Sequence, residues 1–227
     1  MKVVILAGGE GKRLKPYTEV IPKPLLPIGE KPVLEIIFER LKNQGYKDIV
    51  LATNYKAYLF ETLFGDGSKL GMNITYSRES KPLGTAGPLK GIEGQLTDDF
   101  FLMNGDLITD LQISDVEKVH RKGKADITVV TREIETPIPY GVIDVEGEKV
   151  LAWKEKPKIK SEISTGMYMI NPGALRYIPE NEFYAMNDLV GKVIENGGRV
   201  LRFLHSGEWT DIGLIGDYEK AQKDFEK

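Results

Sequence analysis

Three glycines and two cations fall within six residues, Gly8-Gly9-Glu10-Gly11-Lys12-Arg13, and this stretch is the one best suited to chemistry. Without side chains, backbone N–H groups can turn inward to form a concave anion site, and the cations beside them neutralise what binds. Lys15 and Lys23 follow closely. The first 31 residues carry six cations against three acids, although the whole chain has a formal net charge of −3. Positive charge is therefore concentrated where the glycines are, as a polyphosphate site requires. Two common phosphate loops are excluded. A dinucleotide fingerprint needs glycine where Leu14 stands, and a Walker loop needs Ser or Thr where Arg13 stands. Read alone, the glycines make a tight strand-to-helix turn, and Pro22-Lys23-Pro24-Leu25-Leu26-Pro27 makes a surface loop. Their conjunction with Arg13 and Lys23 favours phosphate binding.

Two further stretches carry polar groups at places where a strand should end. Glu79-Ser80-Lys81-Pro82-Leu83-Gly84-Thr85-Ala86-Gly87-Pro88-Leu89 turns from a strand into a helix through glycine and proline. It reads either as a plain loop with Thr85 near a helix start, or as a loop in which Gly84 lets a flat base lie against backbone. Asn104-Gly105-Asp106 follows an apolar run and sets an acid just past a buried strand. Open α/β sheets bind ligands at that edge; a turn-capping role for Asp106 is the plainer alternative.

The elements that must hold these residues alternate. Lys2–Ala7, Asp48–Thr53, Asn73–Ser77, Asp99–Met103 and Ile127–Thr131 are short apolar runs that predict buried strands. Between them, helical spacing predicts helices at Pro32–Leu41, Tyr58–Phe64 and Ile113–Arg121, the last with Ser114 as N-cap. Tyr58, Leu59, Leu63 and Phe64 are assigned to the core. His120 sits near a helix C-terminus, where a charged imidazole would complement the dipole. Tyr140–Val145 and Lys149–Trp153 predict a hairpin turning at Glu146-Gly147-Glu148, and Ser164–Ile170 a further strand. Asn187 or Asp188 should cap a helix running through Ile194. Arg199–Leu204 reads as a strand, and Asp217–Phe225 as the last helix. Strand, helix, strand in this order builds a parallel sheet. The expected fold is a Rossmann-like, doubly wound, mostly parallel mixed sheet flanked by helices, with a small hairpin extension. The expected organisation is a single domain over residues 1–227, with halves at about 1–112 and 113–227.

Composition narrows the classes. Apolar residues make up 41% and charged residues 29%, as in ordinary globular proteins, so an ample core is expected. There is no cysteine, which excludes disulfides and thiolate metal sites. The negative net charge gives no general attraction to nucleic acid or membrane. Val3–Ala7 is too short for a membrane segment, so a cytoplasmic protein is expected.

Leu6-Ala7-Gly8-Gly9-Glu10-Gly11-Lys12-Arg13-Leu14, followed by Pro22-Lys23-Pro24-Leu25-Leu26-Pro27-Ile28, resembles the opening of the sugar-1-phosphate nucleotidylyltransferases (nucleotide-sugar pyrophosphorylases). The resemblance continues along nearly the whole chain. It is nearest to the mannose-1-phosphate guanylyltransferase-like branch through Pro82-Leu83-Gly84-Thr85-Ala86-Gly87-Pro88-Leu89. It implies a nucleoside triphosphate and a sugar 1-phosphate as partners, with Mg2+ as cofactor, and leaves room for a homo-oligomer. It implies nucleotide binding by Leu6, Gly8, Gly9, Gly11, Glu79, Pro82, Gly84 and Thr85. It implies a sugar-phosphate side at Gly141, Glu155, Lys156, Thr165 and Gly166, where Tyr140-Gly141, Glu155-Lys156-Pro157 and Thr165-Gly166 match. Catalytic roles fall to Arg13, Lys23, Asp106 and Asp211. The two aspartates would be metal ligands, Asp211 through Trp209-Thr210-Asp211-Ile212-Gly213.

The base can be argued from hydrogen bonding. A guanine edge offers two adjacent donors that one carboxylate can accept together, whereas uracil and thymine offer one donor between two carbonyls. Glu79 stands where the resemblance expects the base reader, so GTP is favoured, with UTP or dTTP as alternatives. Two rival classes are a metal-dependent glycosyltransferase and a non-catalytic nucleotide-sensing subunit. The first would want Asp-x-Asp near the metal, and Asn104-Gly105-Asp106 is not that pattern. The second would be free to lose Arg13, Lys23, Asp106 or Asp211, and all four are present.

Overall fold

The computed structural model describes residues 1–225. In chain order the elements are β1 (Val3–Leu6), a ribbon of β2 (Pro27–Ile28) and β3 (Lys31–Pro32), α1 (Val33–Asn43), β4 (Asp48–Thr53), α2 (Ala57–Phe64), β5 (Asn73–Arg78) and α3 (Gly87–Gly91). Then come β6 (Phe100–Asn104), β7 (Leu107–Thr109), α4 (Ile113–Gly123), β8 (Ile127–Pro137), β9 (Val142–Glu146), β10 (Lys149–Lys154) and β11 (Lys158–Ile170). The chain ends with α5 (Met186–Glu195), β12 (Val200–Leu204), β13 (Trp209–Asp211) and α6 (Ile215–Phe225).

Seven strands form one mixed sheet in the order β12-β8-β11-β6-β1-β4-β5. Only β11 runs antiparallel to its neighbours within it; β1, β4, β5 and β6 are mutually parallel. Period-two alternation gives the strands two apolar faces. Val3 and Ile5 of β1, with Phe101 and Met103 of β6, enter a core with side chains of α1, α2, α4 and α6. Val4, Phe100 and Leu102 point the other way, into a second core with α3 and α5. A sheet buried on both faces is what near-continuous apolar strands require, and the doubly wound expectation holds.

The short predicted strands after Ile127 are longer than their apolar runs. The β8 and β11 strands pair from Pro137–Lys158 back to Ile127–Ile170, well beyond the packed sheet. They carry the expected hairpin, β9 and β10, as an extension. Polar residues such as Arg132 and Glu133 hide the strand because no core covers that stretch.

Several local expectations need correction. Ser114 does not cap α4; Gln112 holds the N-cap position and makes no side-chain cap bond. Instead, Oε1 of Gln44, the C-cap of α1, accepts the Ile113 N–H at 3.0 Å. At α5 the N-cap is Ala185, and Asp188 contributes from the first turn, its Oδ2 accepting the Ala185 N–H at 3.1 Å. Tyr58 and Leu63 lie on the outer face of α2 and are exposed, while Phe60 and Phe64 fill the core. His120 is buried rather than charged at the surface.

Candidate functional site

Parallel strands end on one edge of a sheet, and four of them deliver the candidate residues there. The glycine-rich loop leaves β1 after Leu6, Asn54 follows β4, Glu79 follows β5, and Asn104-Gly105-Asp106 ends β6. These segments line one cleft of about 630 Å³ that also takes in Lys23, Pro24, Pro82, Leu83, Gly84, Thr85, Phe183, Ala185 and Gly213. That is within the range of small-molecule pockets.

One side of the cleft is built from the glycine loop. Gly11 has a φ of +63° and leads into a tight turn at Lys12–Leu14. A Cβ there would lie 2.8 Å from Thr18 Cγ2, so no side chain fits. Thr18, which is buried, locks the turn by donating its hydroxyl to the Gly11 carbonyl at 2.9 Å. Leu14 anchors the far end in the core, and Arg13 beside it stays exposed. Thr18 was not identified from sequence. Its only signal is a small hydroxyl residue between the glycines and Pro22.

Lys23 is 9% exposed, and its ammonium contacts Asp106 Oδ2 and reaches Asp211 Oδ1 at 3.5 Å. Residues 83 and 188 positions from Lys23 are thus gathered at one point. Topology explains how. The β13 strand pairs antiparallel with β7, placing Asp211 opposite Leu107, and Ile212 N–H donates to the Asp106 carbonyl at 3.1 Å. Asp211 is therefore the last residue of a short strand. Burial, with the Asp106 charge adding to it, pushes the Asp211 carboxyl above the usual range, while Lys23 and Arg13 pull it back.

The pair suits a hard divalent cation. Asp106 Oδ1 is buried with no hydrogen-bond partner, an expensive state that a cation would relieve. The Lys23 ammonium already shows that a positive charge between the carboxylates is favoured. Among the described residues no cluster of three or more His, Cys, Asp or Glu side chains is arranged for a metal. The protein would supply two ligands and leave the remainder to water and phosphate oxygens, the habit of magnesium.

The opposite side of the cleft is the loop after β5. Glu79 is half-buried; its Oε2 accepts the Leu83 N–H at 3.0 Å and closes the loop. Its other oxygen faces the backbone at Gly8, where an added Cβ would lie 3.1 Å away. Burial raises the Glu79 carboxyl, and the Leu83 N–H partly offsets this. Gly84 has a φ of +82°, and a Cβ there would meet the Tyr184 carbonyl oxygen at 2.6 Å. The Ala86 and Gly87 N–H groups donate to that same carbonyl at 2.9 and 3.0 Å. Thr85 Oγ1 accepts the Met186 N–H at 2.8 Å, so its hydroxyl serves the start of α5. The loop thus docks onto residues 183–186, a segment sequence reasoning missed because it carries no glycine or charge pattern.

The sugar-side candidates are more scattered. Gly166, at the irregularity in β11, packs against Asn104, which lines the cleft. Thr165 is buried and donates its hydroxyl to the Val130 carbonyl at 2.8 Å. Gly141 lies under the Trp153 ring, and Glu155 Oε2 accepts the Trp153 Nε1–H at 3.2 Å. Gly141, Glu155 and Lys156 belong to the ends of the hairpin and do not line the cleft; Glu155 and Lys156 are exposed.

Comparison with known proteins gives the family and relatives of this fold. A family model described as nucleotidyl transferase matches residues 2–227. The chain is 35% identical to a UTP–glucose-1-phosphate uridylyltransferase of Synechocystis sp., over 97% of this chain and 62% of that protein. It is 38% identical to a mannose-1-phosphate guanyltransferase of Yarrowia lipolytica, over 96% of this chain and 62% of that protein. The chain thus spans 62% of the length of either curated relative. Among solved structures, a putative glucose-1-phosphate thymidylyltransferase from Bacillus anthracis, in complex with a sucrose, superposes with a TM-score of 0.81 at 27% identity, covering 99% of this chain and 95% of that one. HddC from Yersinia pseudotuberculosis complexed with GMP-PN gives 0.78 at 27% identity, covering 99% of both chains.

Proposed function

The chain belongs to the nucleotidyl transferase family, and from that premise we propose that its cleft joins a nucleoside triphosphate to a sugar 1-phosphate. The products are a nucleoside-diphosphate sugar and pyrophosphate. The observation that carries this is the convergence of Lys23, Asp106 and Asp211 beside the Gly8–Arg13 loop. Relatives with uridylyl-, guanylyl- and thymidylyltransferase names support the reaction class.

An oxygen of the sugar 1-phosphate attacks the α-phosphorus in line, forming a new P–O bond. The bond from that phosphorus to the oxygen bridging the β-phosphorus breaks, and the electron pair leaves with pyrophosphate. The attacking monoester has a second pKa of about 6 and is mostly dianionic near neutrality, so it needs no strong base. The obstacle is bringing one anion against another, and catalysis is positioning and charge neutralisation. The glycine loop presents its backbone to the triphosphate. Arg13, exposed at the cleft, neutralises charge on the transferred and leaving phosphates. Lys23 exchanges its contact with the aspartates for the α-phosphate and incoming group. Asp106 and Asp211 would hold Mg2+, which supplies charge neutralisation at the phosphates when bound. Lys156, exposed just past the hairpin extension, would neutralise the sugar phosphate, with Glu155, Gly141 and Gly166 assigned to the sugar side of the approach.

GTP is the favoured base, because Glu79 presents a carboxylate in the floor of the cleft beside Gly8. UTP or dTTP is the alternative. Coupled pyrophosphate release across four triphosphates and a panel of sugar 1-phosphates tests the reading. Release that needs both substrates supports it. Sugar transfer to an acceptor without pyrophosphate would indicate a glycosyltransferase, and binding without turnover a nucleotide-sensing subunit.

A further inference from the structure

Phe183 is 67% exposed, yet it stands inside the cleft rather than on the outer surface. Single exposed apolar residues on a convex surface are ordinary. Phe183 is instead the one aromatic among the described residues lining this cleft, beside Pro82, Leu83, Gly84 and Ala185 and facing the glycine loop with its charged groups. Its backbone is also unusually well fixed. Next along the chain, the Tyr184 N–H donates to the Leu83 carbonyl at 2.9 Å, and the Tyr184 carbonyl accepts from Ala86 and Gly87. The Thr85 hydroxyl then holds Met186 at 2.8 Å. The chain is pinned to the loop after β5 on one side of Phe183 while the ring itself is left uncovered. Phe183 Cε2 also lies 3.3 Å from where a Cβ on Gly84 would be, so the ring and Gly84 form one continuous surface.

We propose that Phe183 is the aromatic wall on which the nucleobase stacks. Gly84, lacking a side chain, lets the base approach the ring, and Glu79 meets the base edge. Every base has a π-face, so the contact strengthens binding of all nucleoside triphosphates without choosing among them; Glu79 chooses. The inference rests on the proposed use of the cleft for a nucleoside triphosphate.

The test is equilibrium binding of GTP, UTP and inorganic triphosphate to wild type, Phe183→Ala and Phe183→Tyr, with KM for the sugar 1-phosphate measured in parallel. Stacking on an aromatic side chain typically changes affinity by about 5- to 150-fold on truncation to alanine. Phe183→Ala should weaken GTP and UTP by about 10-fold each and leave inorganic triphosphate, which has no base, unchanged. Phe183→Tyr should restore both nucleotides. Equal loss of inorganic triphosphate would mean that the substitution only disturbs the cleft, and would overturn the proposal. So would unchanged nucleotide affinity, or an effect confined to the sugar 1-phosphate KM. If the wild-type protein binds inorganic triphosphate but no nucleoside triphosphate, the reading of the cleft falls with it.

Discussion

At the scale of single residues, the site divides into groups that hold the loops and groups left free for substrate. Arg13 belongs to the second kind. It is exposed and supports no core, so Arg13→Ala should fold normally and lose at least about 10²-fold in turnover, as when a preorganised charge is removed from a developing anion. Near-normal pyrophosphate release from a folded variant would refute its role. If Asp106 and Asp211 hold one metal ion between them, Asp106→Ala and Asp211→Ala should each abolish magnesium-dependent pyrophosphate release, and the double variant should be scarcely worse than either. Lys23 offers a check that needs no turnover, because its ammonium stands where the two carboxylates would share a cation. Lys23→Met should therefore bind Mn2+ more tightly than wild type when nucleotide is absent, read by electron paramagnetic resonance. Weaker binding would show that lysine and metal do not compete. For Glu79, a bidentate contact predicts that GTP leads in kcat/KM and that Glu79→Gln costs GTP more than UTP. An unchanged ranking would instead confine Glu79 to closing the loop on Leu83.

At the scale of elements, the loop after β5 is more than a flexible cover. It is bonded to the start of α5, and the closest point is Gly84 against the Tyr184 carbonyl. An alanine there would need a disfavoured φ as well as a 2.6 Å contact with backbone that cannot turn aside. Gly84→Ala should push the loop off residues 183–186, raising KM for the nucleoside triphosphate about 10-fold or more and lowering the melting temperature. Gly94→Ala, which has nothing within 4 Å of its added Cβ, should do neither. This coupling also marks where the sequence was legible and where it was not. Buried strands announced themselves as apolar runs, and Asp48–Thr53 has the same limits in chain and structure. Glycines and cations after β1, and the acid after β6, were legible because their residue types already imply a task. The meeting of β13 with β7, which makes Asp211 a neighbour of Asp106, has no local signal; only the family resemblance pointed to it. The docking of residues 184–186 onto the loop was invisible because it runs through the Tyr184 and Met186 backbone groups, which every residue has. Thr165 entered through the family resemblance alone, and its hydroxyl donates to a buried carbonyl, a partner no local pattern announces.

At the scale of the molecule, the cleft occupies one edge of the sheet and a buried histidine guards the other. His120 on α4 is 1% exposed; its Nδ1 pairs with Thr128 Oγ1 at 2.9 Å, and its Nε2 has no partner. Asp99 Oδ1 lies 3.8 Å from Nε2, beyond a hydrogen bond. The sequence suggested a charged imidazole favouring the helix dipole, but burial dominates and pulls its pKa below the ordinary histidine value of 6.5. Asp99 and Asp126 favour the charged form and Arg121 opposes it, without reversing the outcome. The consequence for stability has a definite sign. Above 6.5 the imidazole is neutral in both folded and unfolded chains and contributes no pH dependence. Below 6.5 the unfolded chain takes up a proton that the folded chain refuses, so folding stability is lost as pH falls until the depressed folded pKa is reached. Raised carboxyls at Glu79 and Asp211 act in the opposite direction at lower pH, so the wild type alone would give a mixed signal. Comparison with His120→Gln isolates the histidine, because glutamine cannot be protonated while the carboxyls are common to both proteins. Between pH 7.5 and 5.5 the melting temperature of wild type should fall further than that of the variant. Equal slopes would show that His120 accepts its proton in the folded state, with Asp99 turning to pair with it.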